Sequence, residues 1–295
     1  MSHHHHSTND KKALTISIII NVIISTAQMI GGIISGSIAL ISDAIHNISD
    51  SVSLIVSYIA NALVDRKPNK TKTFGYKRAE IIGAFVNSLA LLAVSIILII
   101  EAVKRLNFPQ EINYNYVIWF SSLAILGNAF STALLHKGKE KNLNLKSAYL
   151  HMLSDTLTSV AVLIGGILIK EFKIYTIDTI LTFIISAYLI YMSIIILKET
   201  TEILMMFAPK KTNIDKIIKK TLLNPEVKNV HKVRLWKLDE HKTIFDAHIL
   251  LTNNTTITEF EKISKKIEKM LKEEFGINST SLTPEFNQCE YKETV

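Results

Sequence analysis

The chain has 295 residues, 48% of them hydrophobic, and its positive mean hydropathy of +0.27 excludes an ordinary soluble protein of this size. The apolar residues lie in long blocks rather than short amphipathic stretches, which points to a polytopic membrane protein. The net charge of +7 is modest and its lysines fall in loops and the C-terminal third, which does not fit a nucleic-acid binder, and the single cysteine, Cys289, excludes an intrachain disulfide.

In chain order, the four histidines His3 to His6 fit either a cloning remnant or a native metal-gathering tail, and no site is placed on them. Six hydrophobic blocks follow, at about 13–34, 38–63, 80–103, 114–136, 146–169 and 175–197, each near the ~20 residues that cross a bilayer. No small-residue cleavage site follows the first block, so it is expected to remain as a span. Ser35-Gly36-Ser37 reads as a tight turn between the first two, making them an antiparallel hairpin.

Loop charge orients the bundle. Arg66, Lys67, Lys70, Lys72, Lys77 and Arg78 crowd one loop and four lysines lie between Lys137 and Lys146, whereas the alternate loops carry only Lys104 and Arg105, then Lys170 and Lys173. The positive-inside rule makes the basic loops cytoplasmic, and with them both termini. The expected location is therefore a multi-pass position in the cell membrane.

After Lys198 the composition turns polar, with Pro209 and the lysines behind it as a linker. A short helix over Ile214 to Leu223, strands over Val230 to Leu238 and Thr243 to Thr252, a helix over Ile257 to Phe275 and a strand near Ser279 to Glu285 are expected. That α-β-β-α-β order fits a small ferredoxin-like α+β domain, its sheet burying one face on two helices. The fold class is thus an α-helical membrane protein, a six-span transmembrane bundle with a ferredoxin-like cytoplasmic domain. The division is a tail over 1–12, a transmembrane domain over 13–203 and a cytoplasmic domain over 204–295.

Inside the second block, His46 and Asp50 stand four residues apart and share one helical face, and the same H-x-x-x-D spacing returns as His151 and Asp155 in the fifth. An ionisable residue at mid-membrane costs about 2.5–3.5 kcal/mol on insertion scales, so four of them ask for more than packing as a reason. Buried ion pairs between helices are the plainer explanation; the duplicated spacing and the ligand chemistry favour a metal site. Imidazole nitrogen with carboxylate oxygen suits a tetrahedral divalent ion, Zn²⁺ ahead of Cd²⁺ and Co²⁺. Such ligands bind metal only when deprotonated, so protons and metal compete for them and exchange of one for the other follows. Asp43 lies near the same face, as a residue that orients His46, as a cap on a water-filled entry or as an unassigned polar lining. Asn47, Asn87 and Asn128 are expected to hydrogen-bond between helices.

The residues Asp43-Ala44-Ile45-His46-Asn47-Ile48-Ser49-Asp50 resemble the second-span signature of the cation diffusion facilitator family, in its zinc-transporter branch. Thr73 to Glu80 resembles the segment leading into that family's third span, and Ala148 to Asp155 its fifth-span signature. The resemblance implies a homodimer that moves metal out of the cytosol against protons through His46, Asp50, His151 and Asp155, with no cofactor. It also implies regulatory zinc in the cytoplasmic domain. There Val230-His231-Lys232-Val233-Arg234-Leu235-Trp236 is similar to the family's V-H-x-x-H-x-W pattern, with Arg234 in place of the second histidine, and Asn278 stands where many relatives have histidine. A reduced cytoplasmic site from His231 and His248, with His241 or Cys289, is the remaining expectation. A membrane metalloenzyme is a second reading, against which the chain has no H-E-x-x-H signature. A membrane metal sensor is a third, and it has no need of ligands inside the bilayer.

Overall fold

The computed structural model describes residues 8–64, 67–136, 143–210, 212–239 and 242–287. Six long helices come first: α1 (Thr8–Ser35), α2 (Ile38–Val64), α3 (Ala79–Asn107), α4 (Tyr114–His136), α5 (Leu143–Phe172) and α6 (Thr176–Leu204). Then follow α7 (Ile214–Thr221), β1 (Val227–Lys237), β2 (Thr243–Leu251), α8 (Ile257–Phe275) and β3 (Ser279–Glu285). Most long helices overrun the apolar blocks that announce them, because a helix continues into polar sequence until a cap or a breaker stops it. Two compact units result, one from Met1–Ile59 with Gly83–Leu197, the other from Ala60–Ile82 with Lys198–Val295.

Five helical stretches among the described residues are long and apolar enough to cross a membrane: Thr15–Ser35, Ala79–Asn107, Tyr114–His136, Tyr149–Phe172 and Thr176–Leu204. α2 gathers Ser42, Asp43, His46, Asn47, Ser49, Asp50 and Ser51 within ten residues, a polar stretch inside an otherwise apolar helix.

In the first unit the apolar side chains point both ways. Leu40, Leu91, Val117, Val162, Ile169, Ile185 and Leu189 form a buried cluster, while Trp119, Leu126 and Ile33 stand at 75%, 70% and 67% exposure. What is concentrated inside is polar. Ser17, Asn21, Ser25 and Gln28 follow one face of α1, and Ser121, Asn128 and Ser131 one face of α4, all buried. Apolar outside with small and polar residues at helix contacts is the arrangement that lipid favours, because hydrocarbon rewards no further apolar burial. Gly127 permits the close approach of α4 to α1, since a Cβ there would lie 2.1 Å from Ile24 Cδ1.

The start of α2 is fixed from three directions. Ser37 caps it, its hydroxyl accepting from the Leu40 N–H at 3.1 Å. Asp178 of α6 accepts from the Ile38 and Ala39 N–H groups at 2.9 and 3.4 Å and also from the Ser37 hydroxyl. Arg105 donates to the Gly36 carbonyl, and Gly36 takes a φ of +76°, which glycine adopts freely. Between helices, Asn47 Nδ2 donates to Gln28 and Asn87 Nδ2 to Ser49 and Ser53, as expected for polar residues in spans. Asn128 differs: its side chain has no hydrogen-bond partner among the described residues.

In the second unit, β2 is the central strand, antiparallel to β1 and parallel to β3. One face packs on α7 and α8 through Val230, Phe245, Ala247 and Ile249 against Ile217, Ile263, Ile267 and Leu271. The element order α-β-β-α-β is the expected one. Arg78 donates to the Leu204 carbonyl at 3.4 Å and Glu202 pairs with Lys210 at 2.9 Å.

α8 begins in a capping box. The Glu259 carboxylate accepts from the Thr256 N–H and hydroxyl at 2.9 and 2.8 Å, while Thr256 Oγ1 accepts from the Glu259 N–H. The Thr256 backbone N–H, and then its hydroxyl, hold the Glu259 carboxyl below its ordinary 4.5. A depressed folded value means that the stabilisation is complete above pH 4.5 and disappears as pH falls through the lowered value. In a Trp119→Phe background, where Trp236 is the remaining indole, the urea midpoint of tryptophan fluorescence should therefore fall more steeply below pH 4.5 for the parent than for Glu259→Gln. Parallel curves would remove the capping box from the account.

Candidate metal centre

Four residues on two helices converge in the first unit. One turn of α2 aligns His46 with Asp50, and one turn of α5 aligns His151 with Asp155. His46 Nδ1 lies 3.4 Å from Asp50 Oδ2 and His46 Nε2 lies 3.7 Å from Asp155 Oδ1. His151 Nε2 lies 3.3 Å from Asp50 Oδ2 and 3.6 Å from Asp155 Oδ2. Each histidine thus faces both carboxylates, and the two rings meet edge to face at 6.3 Å. Ligand atoms of His46, Asp50 and Asp155 lie within 4.8 Å of one another, close enough to share one ion.

The chemistry of these atoms is unusual for mere packing. Asp155 is fully buried, yet neither of its oxygens has a hydrogen-bond partner among the described residues, and Asp50 Oδ2 has none either. A buried carboxylate left without donors is costly, and costlier still away from water. A divalent cation at the centre of the four groups removes that cost. Side-chain exposure rises across the group, from 0% at Asp155 through 13% at His46 and 24% at Asp50 to 33% at His151. The opening is therefore on the His151 side.

Asp43, which the sequence left open as a residue that orients His46, caps an entry or lines the site, ties three helices together. Its Oδ2 accepts from Gln28 Nε2 of α1 at 2.5 Å and from the Ser159 hydroxyl of α5 at 2.9 Å. Tyr188 of α6 packs edge-on against His46 at 6.2 Å. The sequence reading missed Gln28, Ser159 and Tyr188. Gln28 alone left a signal, as an amide in an apolar run.

The second unit brings together His231, His248 and Glu285. His231 and His248 are directly opposite across the antiparallel pair of β1 and β2, with rings 5.6 Å apart. The parallel register of β3 sets Thr283 beside His248 and so places Glu285 diagonally next to it. Glu285 then lies 2.5 Å from His248 Nδ1 and 2.9 Å from His231 Nε2. A register shift follows His231, where Lys232 takes a φ of +51°, and it re-aims the strand at this point. Glu285 was not among the expected ligands. His241 and Cys289, which were, lie outside the described residues. Arg234 pairs with Asp246 at 3.5 Å and Asn278 Oδ1 accepts from the Thr243 N–H, so both positions that depart from the family pattern serve the sheet.

Residues 14–205 match the family model of the cation efflux transmembrane domain, and residues 209–283 match that of the cation efflux protein cytoplasmic domain. The chain belongs to the cation efflux family. A cadmium, cobalt and zinc/H⁺-K⁺ antiporter of Bacillus subtilis is 33% identical over 287 residues, 97% of this chain and 92% of the relative. The zinc transporter ZitB of Pectobacterium atrosepticum is 31% identical over 98% of this chain and 90% of its own. The metal cation efflux system protein CzcD of Cupriavidus metallidurans is 30% identical over 97% and 90%. As a member of the cation efflux family this is a multi-pass membrane protein that moves metal cations, and it is a transporter rather than an enzyme.

The orphaned oxygens of Asp155 predict a trade of stability for binding. In detergent with chelator present, Asp155→Asn should melt no lower than the parent, because a buried charge is gone. With Zn²⁺ added, the parent should gain about 2.7 kcal/mol at a hundredfold excess over Kd and the variant much less. Both species are compared with His3 to His6 deleted and His231 and His248 changed to alanine, which removes the other histidine groups named above.

Proposed function

We propose that the protein exports divalent metal cations, Zn²⁺ foremost and Cd²⁺ and Co²⁺ behind it, from the cytosol in exchange for protons. The observation that carries this is the convergence of two H-x-x-x-D pairs, so that His46, Asp50, His151 and Asp155 surround one point with two nitrogens and two carboxylates. Two imidazoles select a borderline ion over a hard one. The same four groups take up protons when the metal leaves, so one site serves both directions of the exchange. The Bacillus relative's name carries K⁺ beside H⁺ as a counter-ion. Here the proton is the simpler counter-ion, because the metal's own ligands hold it.

In this reading α1 to α6 all span the bilayer, α2 included, with both termini cytoplasmic in the cell membrane. The transmembrane domain runs over 13–203 after a tail of 1–12, and residues 204–295 form a ferredoxin-like cytoplasmic domain. The chain works as a homodimer, as the family resemblance implies, and the His231, His248 and Glu285 group takes a regulatory Zn²⁺. Its donor set of two nitrogens and a carboxylate supports that assignment. Opening and closing of the bundle around the centre at α2 and α5 gives alternating access.

Zn²⁺ uptake into proteoliposomes with an imposed pH gradient tests the reading. Asp50→Ala should reduce uptake to the level of empty liposomes while the protein still elutes as a folded species. Uptake retained in Asp50→Ala and in Asp155→Ala would overturn the site.

A further inference from the structure

One helical turn beyond the candidate centre, on the side away from His151, lies a second polar layer that the exchange described above does not use. It consists of Gln28 on α1, Asp43 on α2 and Ser159 on α5, with Asn47 of α2, level with His46, joined to it through Gln28, and all four are at 0% exposure. The positions follow from helix arithmetic: Asp43 is three residues before His46, and Ser159 four residues after Asp155. The layer is joined by Gln28 Nε2 to Asp43 Oδ2 at 2.5 Å, Ser159 Oγ to Asp43 Oδ2 at 2.9 Å, and Asn47 Nδ2 to Gln28 Oε1 at 3.0 Å.

Two features give this layer a function. The exposure gradient from His151 down to Asp155 ends at it, so it closes the deep end of the site. Both of its donors to Asp43 act on one oxygen, while Asp43 Oδ1 and Asn47 Oδ1, one turn apart on α2, have no hydrogen-bond partner among the described residues. A buried carboxylate oxygen and a buried amide oxygen on one helical face are cation ligands, and hydrogen bonds to the opposite oxygen hold them in place.

We propose that Asp43 is an exit ligand: Gln28 and Ser159 latch it in the closed outer layer seen here, and when they release it, its carboxylate with Asn47 Oδ1 receives the divalent cation leaving His46 and Asp155. The proposal rests on the transport reading and topology given above. It assigns to Asp43 a part in departure and none in loading. Gln28 and Ser159 decide whether the outer side is open, because each contributes a charge-assisted hydrogen bond to the closed state alone.

Two measurements test it on the full-length protein, with Zn²⁺ as the probe. In proteoliposomes, Asp43→Ala should lower the maximal Zn²⁺ flux by about tenfold or more, with KM and the calorimetric Zn²⁺ Kd within about twofold of the parent, and Asp43→Asn should recover part of the rate. A KM and Kd that rise with the loss of rate would show Asp43 holding the centre together, and would overturn the proposal. For the latch, Val162 on α5, 1% exposed and three residues beyond Ser159, is replaced by cysteine in a Cys289→Ser background. A membrane-impermeant thiol reagent applied from outside should label it about tenfold faster with Gln28→Leu or Ser159→Ala than without. Equal rates in all three proteins would overturn the latch. Absence of Zn²⁺ flux in the parent would instead count against the transport reading, and labelling only from the cytoplasmic side against the topology.

Discussion

The absence of water in a bilayer is the constraint on which the rest depends. Every polar group placed there needs a partner inside the protein, and Asp155 has none for either oxygen among the described residues. His46 and His151 approach it at 3.7 and 3.6 Å, which is proximity without a hydrogen bond. A group of four ionisable side chains in that condition is poor scaffolding. It becomes favourable when a dication, or protons in its place, supplies the missing positive charge, and that requirement is the physical content of the exchange proposed for this chain.

Much of the first unit serves to hold α2 against its own polarity. Asp178 caps the helix start, Arg105 binds the turn before it, and Gln28 and Asn87 satisfy side chains along its length. These ties come from α1, α3 and α6, while α5 brings the second half of the site. Among the described residues α2 is thus hydrogen-bonded to α1, α3, α5 and α6. The apolar faces of α1 and α4, by contrast, are exposed at Ile33, Trp119 and Leu126, and their polar faces turn inward.

The order of elements and the two H-x-x-x-D pairs were legible in the sequence because both depend on local periodicity. α4 and α8 match their expected bounds, and the four ligand candidates meet where their spacing implied. Helix ends were less legible, since α6 continues through Lys198 to Leu204 after its apolar block stops. Glu285 was not legible at all. Its place beside His248 depends on the parallel register of β3, which nothing local in the sequence encodes. Asn128 carried the same signal as Asn47 and Asn87 but has no side-chain partner among the described residues, so a polar residue in a span predicts a need for satisfaction and not its source.

The central claim is that two histidines and two carboxylates from α2 and α5 surround one transported ion. Zn K-edge absorption spectroscopy on protein lacking His3 to His6, His231 and His248, loaded with one equivalent of Zn²⁺, reads that shell directly. The account predicts four nitrogen and oxygen neighbours at about 2.0–2.2 Å, with the outer-ring scattering of two imidazoles. A six-coordinate shell with no imidazole scattering, or a spectrum unchanged by Asp155→Ala, would contradict it.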